Sequence, residues 1–165
     1  MPRWAPVAAA FTLLVAATAA ATGQDPLAVG DAIAPFELDD QHENRHAVDA
    51  GVRVLLLSRD MDGGAVVREA LERQGDTAAA FLAERGAVYV ADVSRMPGLV
   101  RRIIAIPRMR GRPYPVLLDQ AGETTAAIPS ETGRASVLWL DGLRLVRVEQ
   151  AASPDELLGL LGAGN

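Results

Sequence analysis

The string His42-Glu43-Asn44-Arg45-His46 spells H-E-x-x-H. In a zinc hydrolase this spacing sets two histidines one helical turn apart as ligands, with the glutamate polarising a bound water. That chemistry requires a helix and a third ligand. Here the string follows Asp39-Asp40-Gln41, sits between two short extended runs, and has no further histidine to call on, only a distant carboxylate such as Glu69. A solvated turn without a metal is the expectation, and a metal-dependent hydrolase through His42, Glu43 and His46 is its alternative.

A second candidate is Asp60-Met61-Asp62-Gly63-Gly64-Ala65, between an apolar strand and a helical pattern. A helix N-terminus presents free N–H groups and partial positive charge, and two glycines permit close backbone approach, a combination that favours anions. Asp60 and Asp62 meet that demand internally, with Asp62 placed to cap the helix. The alternatives are a small-molecule or metal site using the two aspartates, or a partner-binding loop anchored by Met61.

The third is a run of charge. Between Val93 and Leu118 there are six arginines, Arg95, Arg101, Arg102, Arg108, Arg110 and Arg112, and no carboxylate. Arg108, Arg110 and Arg112 alternate, so an extended backbone would direct them to one side. Such a cluster suits an acidic protein, a phosphate-bearing ligand or an anionic membrane surface, unless the domain's own carboxylates neutralise it. Nucleic acid is not expected of an acidic chain with few aromatics.

Composition narrows the chemistry further. All 16 basic residues among the 165 are arginine, and there is no cysteine. Without a thiol there is no disulfide, no cysteine nucleophile and no thiolate metal site. Without lysine there is no Gly-Lys-Ser/Thr phosphate loop and no Schiff base except at the N-terminus. The balance of 50% hydrophobic and 22% charged residues, with a formal net charge of −5, is that of a globular domain and not of a disordered chain.

Residues 1–23 read as a secretory signal peptide: Arg3 in a short basic head, an uncharged run from Ala5 to Ala20, then small residues to Gly23. Its removal leaves residues 24–165 as one domain, exported to a periplasm or beyond; retention would tether it to the membrane. In that domain Ala34–Leu38 and Arg45–Val48 read as a hairpin, and Val52–Leu57 and Val88–Ala91 as buried strands. Helical spacing follows Asp62 through Val66, Val67, Ala70 and Leu71, and resumes from Ala78 to Leu82. Pro97 can open a further helix with Leu99, Val100, Ile103 and Ile104 as its apolar face. Val116–Leu118 is a short strand, Asp141-Gly142 a hairpin turn between Ala135–Leu140 and Leu143–Val148, and Ser153 caps a last helix from Pro154. This order describes an α/β three-layer sandwich with a central mixed sheet and an N-terminal β-hairpin.

In that order the chain resembles the thioredoxin-like fold, in its peroxiredoxin (AhpC/TSA) and periplasmic TlpA-like branch. Gly30-Asp31-Ala32-Ile33-Ala34-Pro35-Phe36-Glu37-Leu38 is similar to the branch's opening, Pro115-Val116-Leu117-Leu118-Asp119-Gln120-Ala121-Gly122 to its PVLxDxxG segment, and Ala135 to Gly142 to its PTTFLIDxDG strand and turn. The resemblance puts the family's thiols at Asp62 and Ala65 and its cis-proline at Ala135. All three identities are missing here. The resemblance therefore implies a redox scaffold without its redox site, and a non-enzymatic binding or accessory module of the cell envelope needing no cofactor. A flavin-type cofactor oxidoreductase is an alternative, though no G-x-G-x-x-G occurs. The residues to watch are Asp60, Met61, Asp62, Gly63, Gly64, Ala65 and Ala135 in the degenerate loop, and Arg101, Arg102, Arg108, Arg110 and Arg112 for an anionic partner.

Overall fold

The computed structural model describes residues 25–162; the expected signal segment lies outside them. Phe36–Asp39 (β1) and Arg45–Val48 (β2) pair antiparallel as a separate two-stranded sheet. The main sheet contains Val54–Ser58 (β3), Ala87–Asp92 (β4), Leu117–Asp119 (β5), Ala135–Asp141 (β6) and Arg144–Ala151 (β7), in the order β5-β4-β3-β6-β7. β3, β4 and β5 run parallel, while β6 and β7 are antiparallel to their neighbours. This is the mixed sheet expected from the sequence. All five residues of β3 are buried, because it is the middle strand and is covered on both faces.

Alternation along β3 divides the interior. Val54 and Leu56 belong to a cluster with Val66, Val67 and Leu71 of Met61–Glu72 (α1), Leu82 of Ala78–Glu84 (α2), and Leu157 and Leu161 of Pro154–Gly162 (α5). Leu55 and Leu57 face the other way, into a cluster with Ile33, Val48, Ile128, Leu138 and Leu145. Among the described residues no helix contributes to that second cluster. Its cover is the N-terminal segment, the β1–β2 hairpin and the loop before β6.

Several junctions differ in detail from the sequence reading. Asp60, not Asp62, is the N-cap of α1. The two-residue connection from β6 to β7 is Gly142-Leu143, since Asp141 still pairs with Arg144. Both turn residues have positive φ, +54° and +69°, the primed geometry that matches strand twist. Leu143 accepts that conformation while its side chain packs on the second cluster.

The connection between β4 and β5 is a continuous helical run: Gly98–Val100 (α3), a π-helical segment Arg101–Ala105, and Ile106–Arg110 (α4). Pro97 stands just outside as N-cap. Pro107 has no N–H and its ring crowds the carbonyl four residues back; directly before it the helix widens, with Ile106 N–H bonding Arg101 O five residues away. The expected apolar face forms but is turned to solvent. Leu99, Val100, Ile103 and Ile104 are 71%, 42%, 61% and 44% exposed, because the run is held by its opposite side. Ile106 and Met109 reach the first cluster, and Arg101 Nη1 donates to Val93 O at 3.3 Å and Gln120 O at 3.2 Å. Arg108 and Arg110 are helical, so the one-sided extended arrangement with Arg112 does not form. Among the described residues no helix is long and apolar enough to cross a membrane.

Candidate functional site

β3 delivers the chain to the sheet's carboxyl edge, where Arg59 and Asp60 form the elbow into α1. Asp60 is extended (φ −141°, ψ 176°), and its two carboxylate oxygens serve two segments. Oδ1 accepts from Gly63 N at 2.7 Å, capping the helix, and Oδ2 accepts from Gly133 N at 2.8 Å, tying the helix to the loop before β6. Gly63 is buried against that loop: a Cβ on it would overlap the carbonyl of Arg134. Ala135 follows, fully buried. The start of α1 is thus joined, through Asp60 and Gly63, to the loop that ends at Ala135. Met61 and Asp62 point to solvent, and Ala65 is half-buried.

Beneath the first turn of α1, Ser58 Oγ and Tyr89 Oη lie 2.8 Å apart, both buried. A Cβ on Gly64 would meet these two atoms at ordinary contact distances of 3.6 and 3.8 Å. Burial pushes the Tyr89 phenol above its ordinary pKa against the bond to Ser58 and the charge of Arg112. Tyr114, buried nearby in charge terms, is pushed up to about 12 by the same desolvation, with Arg112 opposing. Its hydroxyl has no hydrogen-bond partner among the described residues. Of the arginine group, Arg112 is the one whose charge opposes the rise at both phenols.

The sequence reading missed what holds the elbow. Ser58 pairs with Ala91 across the parallel β3–β4 ladder, so the next residues, Arg59 and Asp92, emerge side by side. Arg59 Nη1 lies 3.1 Å from Asp92 Oδ2, with side chains only 14% and 2% exposed. Arg59 Nη2 also donates to the carbonyls of Thr125 and, at 3.0 Å, Ile128. Asp119, at the end of β5, accepts from Gly122 N and from Thr125 N and Oγ1. Together these carboxylates and one guanidinium fasten the loop that follows β5. A shallow groove of about 480 Å³ remains beside the junction, lined by Pro129, Ser130, Glu131, Arg134, Val148, Glu149 and Gln150.

The H-E-x-x-H string is a turn followed by a strand. His42 and Glu43 are in the β1–β2 turn, Glu43 with φ +68°, and His46 is on β2. The helical i, i+4 geometry of a zinc hydrolase is absent. Asp40, 5% exposed, organises the turn by accepting from His42 N, Asn44 N and His46 Nε2. Burial would raise its pKa, but the bonds from His46, Asn44 and His42 outweigh it and hold the carboxyl at about 2. Among the described residues no three His, Cys, Asp or Glu side chains are grouped to hold a metal.

The arginine group faces a different direction. Of Arg95, Arg101, Arg102, Arg108, Arg110 and Arg112, one forms an ion pair among the described residues, Arg110 with Glu43 at 3.4 Å; Arg110 Nε also donates to Gln41 O at 2.9 Å. Arg95, Arg102 and Arg108 are exposed. A recess of about 290 Å³ beside the helical run is lined by Gly98, Leu99, Arg101, Arg102, Ile106 and Gln120.

No protein-family model matches the sequence, and no curated protein does either. Solved structures do. The chain is similar to the peroxidoxin BcpB of Mycobacterium tuberculosis, with 22% identity over 82% of this chain and 94% of that one and a TM-score of 0.53. It is also similar to the thioredoxin domain of a thiol-disulfide oxidoreductase from Bacteroides vulgatus, at 13% identity over 83% and 97% with a TM-score of 0.53. A third is the exposed lipoprotein thioredoxin of Streptococcus pneumoniae, at 17% identity over 79% and 99% with a TM-score of 0.51. Identities this low speak for the fold alone. The chain has the thioredoxin-like fold of peroxiredoxins and thiol-disulfide oxidoreductases, with no cysteine anywhere in it.

Proposed function

We propose that this chain is an exported, thiol-free thioredoxin-like protein that serves as a non-enzymatic binding or accessory module of the cell envelope. The observation that carries this reading is surface left without a partner on the crossover between β4 and β5. Four large apolar side chains and two exposed arginines, Arg102 and Arg108, with no ion pair among the described residues stand on that helical run, whereas at the start of α1 Asp60 spends both carboxylate oxygens on Gly63 and Gly133. An outward apolar patch rimmed by charge marks an interaction surface in a folded protein. The signal-like residues 1–23 support export, and one structural neighbour is named an exposed lipoprotein.

The test is turnover by the pure protein in disulfide-reduction and peroxide-consumption assays, together with its absorption spectrum. The expected result is no turnover and no flavin band. Sustained turnover overturns the reading, and a flavin band that accompanies it establishes the cofactor-dependent alternative. Cell fractionation tests the location: the protein is expected in the envelope fraction, and a cytosolic pool alone removes the exported part of the proposal.

A further inference from the structure

The binding-module reading leaves its partner unnamed, and the following inference rests on that reading. We propose that the helical run of residues 98–110 lies flat on an anionic phospholipid surface, with a lipid phosphate seated in the recess at Arg101 and Arg102.

Leu99, Val100, Ile103 and Ile104 are spaced i, i+1, i+4 and i+5, which gathers them on one face of a helix. All four are exposed, and Ile103 and Leu99 most of all, so the face offers its hydrocarbon directly to solvent. Exposed arginines flank it: Arg102 within the run, Arg108 toward its end and Arg95 just before it. An apolar face between cationic rims is the layout of a helix resting at the headgroup level, its hydrocarbon pressed between lipids and its charges on their phosphates. Guanidinium groups suit this role, since each can chelate a phosphate through two N–H groups.

Charge complementarity selects the occupant. The whole chain carries a formal net charge of −5, so an anionic bilayer repels most of its surface, yet Val93 to Leu118 holds six arginines and no carboxylate. That distribution orients the domain with this one face toward the membrane. The recess adds a specific seat. Its lining sets Arg102, and Arg101 whose Nη1 is already held by Val93 O and Gln120 O, beside the apolar Leu99 and Ile106, so Arg102 supplies the free guanidinium for a headgroup phosphate and Arg101 its remaining N–H groups.

The experiment is co-sedimentation of the full chain with vesicles of phosphatidylcholine alone or with about one-third phosphatidylglycerol. At least ~10-fold stronger association with the anionic vesicles is expected, abolished near ~1 M salt. Because residues 1–23 are apolar, the readout is the difference between the two vesicle types in otherwise identical chains. Two helix variants, Leu99→Asp with Ile103→Asp and Arg102→Gln with Arg108→Gln, are each expected to lower the anionic preference by ~10-fold or more. Arg45→Gln with Arg147→Gln removes the same charge elsewhere and is expected to leave it unchanged. Equal binding to both vesicle types, or full preference in either helix variant, overturns the proposal. Should vesicles fail while a soluble acidic protein is retained through the same residues, the lipid occupant is wrong and the binding-module reading stands. Thiol or peroxide turnover instead removes the underlying reading.

Discussion

At the N-terminus of α1 most polar side chains bond within the protein, Arg59 Nε and the Tyr114 hydroxyl being buried exceptions among the described residues. Asp60 divides its oxygens between Gly63 N and Gly133 N, Arg59 meets Asp92 and two carbonyls, and Ser58 meets Tyr89. On the helical run from Gly98 to Arg110 the reverse holds: four apolar side chains stand in solvent, and Arg102 and Arg108 have no ion-pair partner among the described residues. One region is thus tied together by its own hydrogen bonds, and the other leaves apolar and cationic groups in solvent, which is the difference the proposed binding role depends on.

The largest test of that contrast is Arg59→Met. It takes the one cationic partner from a nearly buried Asp92 carboxylate, which keeps only its bonds from Ser94, and removes the side-chain donor to the carbonyls of Thr125 and Ile128, so a loss of about 3 kcal/mol is expected in urea unfolding. A cost of less than about 1 kcal/mol would show that the elbow is not held by this pair. Adding Asp92→Leu is expected to restore part of the loss, since the uncompensated charge goes with it.

Gly63→Ala comes next. Alanine favours a helix over glycine by about 1 kcal/mol, but here its Cβ runs into the Arg134 carbonyl, and backbone cannot yield as a flexible side chain does. A net destabilisation of about 1–3 kcal/mol is expected by thermal unfolding; any stabilisation would mean that α1 and the loop before β6 are not in close contact. Asp60→Ala removes the cap and the tie to Gly133 together, for an expected loss of about 1–2 kcal/mol.

How much of this was legible in the sequence follows from the range of each interaction. Strands β3, β4 and β6 and the capped α5 were readable because local patterns specify them: an apolar run, an Asp-Gly step, Ser153 ahead of Pro154. The cap of α1 was displaced by two residues because Asp60 and Asp62 have the same chemistry, and only the approach of Gly133, some seventy residues on, distinguishes them. Arg59 and Asp92 were missed for the same reason; they meet only once the β3–β4 register is set. On the helical run the periodicity gave the apolar face correctly but not its direction, because periodicity is blind to which side the sheet occupies. The resemblance named Asp62, Ala65 and Ala135, but not the bond from Gly133 to Asp60 that joins the loop before β6 to the start of α1.

A smaller effect concerns the β1–β2 turn, which meets the helical run at Arg110. Asp40 has its pKa lowered from 3.8 to about 2 by bonds that exist only in the folded turn. A depressed carboxylate contributes stability that is fully present above 3.8 and lost as pH falls through about 2. Asp40→Asn is expected to flatten the fall in unfolding free energy across that window and to leave its shape above pH 5 unchanged, as measured by urea titrations at stepped pH. An unaltered acid limb would remove Asp40 as its source.

The smallest expected effect bears most directly on the comparison. Leu99→Ser with Ile103→Ser replaces two large apolar groups that are 71% and 61% exposed. In a protein whose interior owes them nothing, such surface changes stay within about 0.5 kcal/mol. The unfolding curve is thus expected to superimpose on the parent's, whereas substitution of Met109 on the opposite side of the same run, 9% exposed and part of the first cluster, by alanine is expected to cost about 2 kcal/mol or more. If the serine pair instead unfolds the protein, those side chains are packed in solution, the helical run is an internal element, and the two regions no longer differ. If stability holds while association with a partner is lost, the exposed face is retained for contact and not for folding.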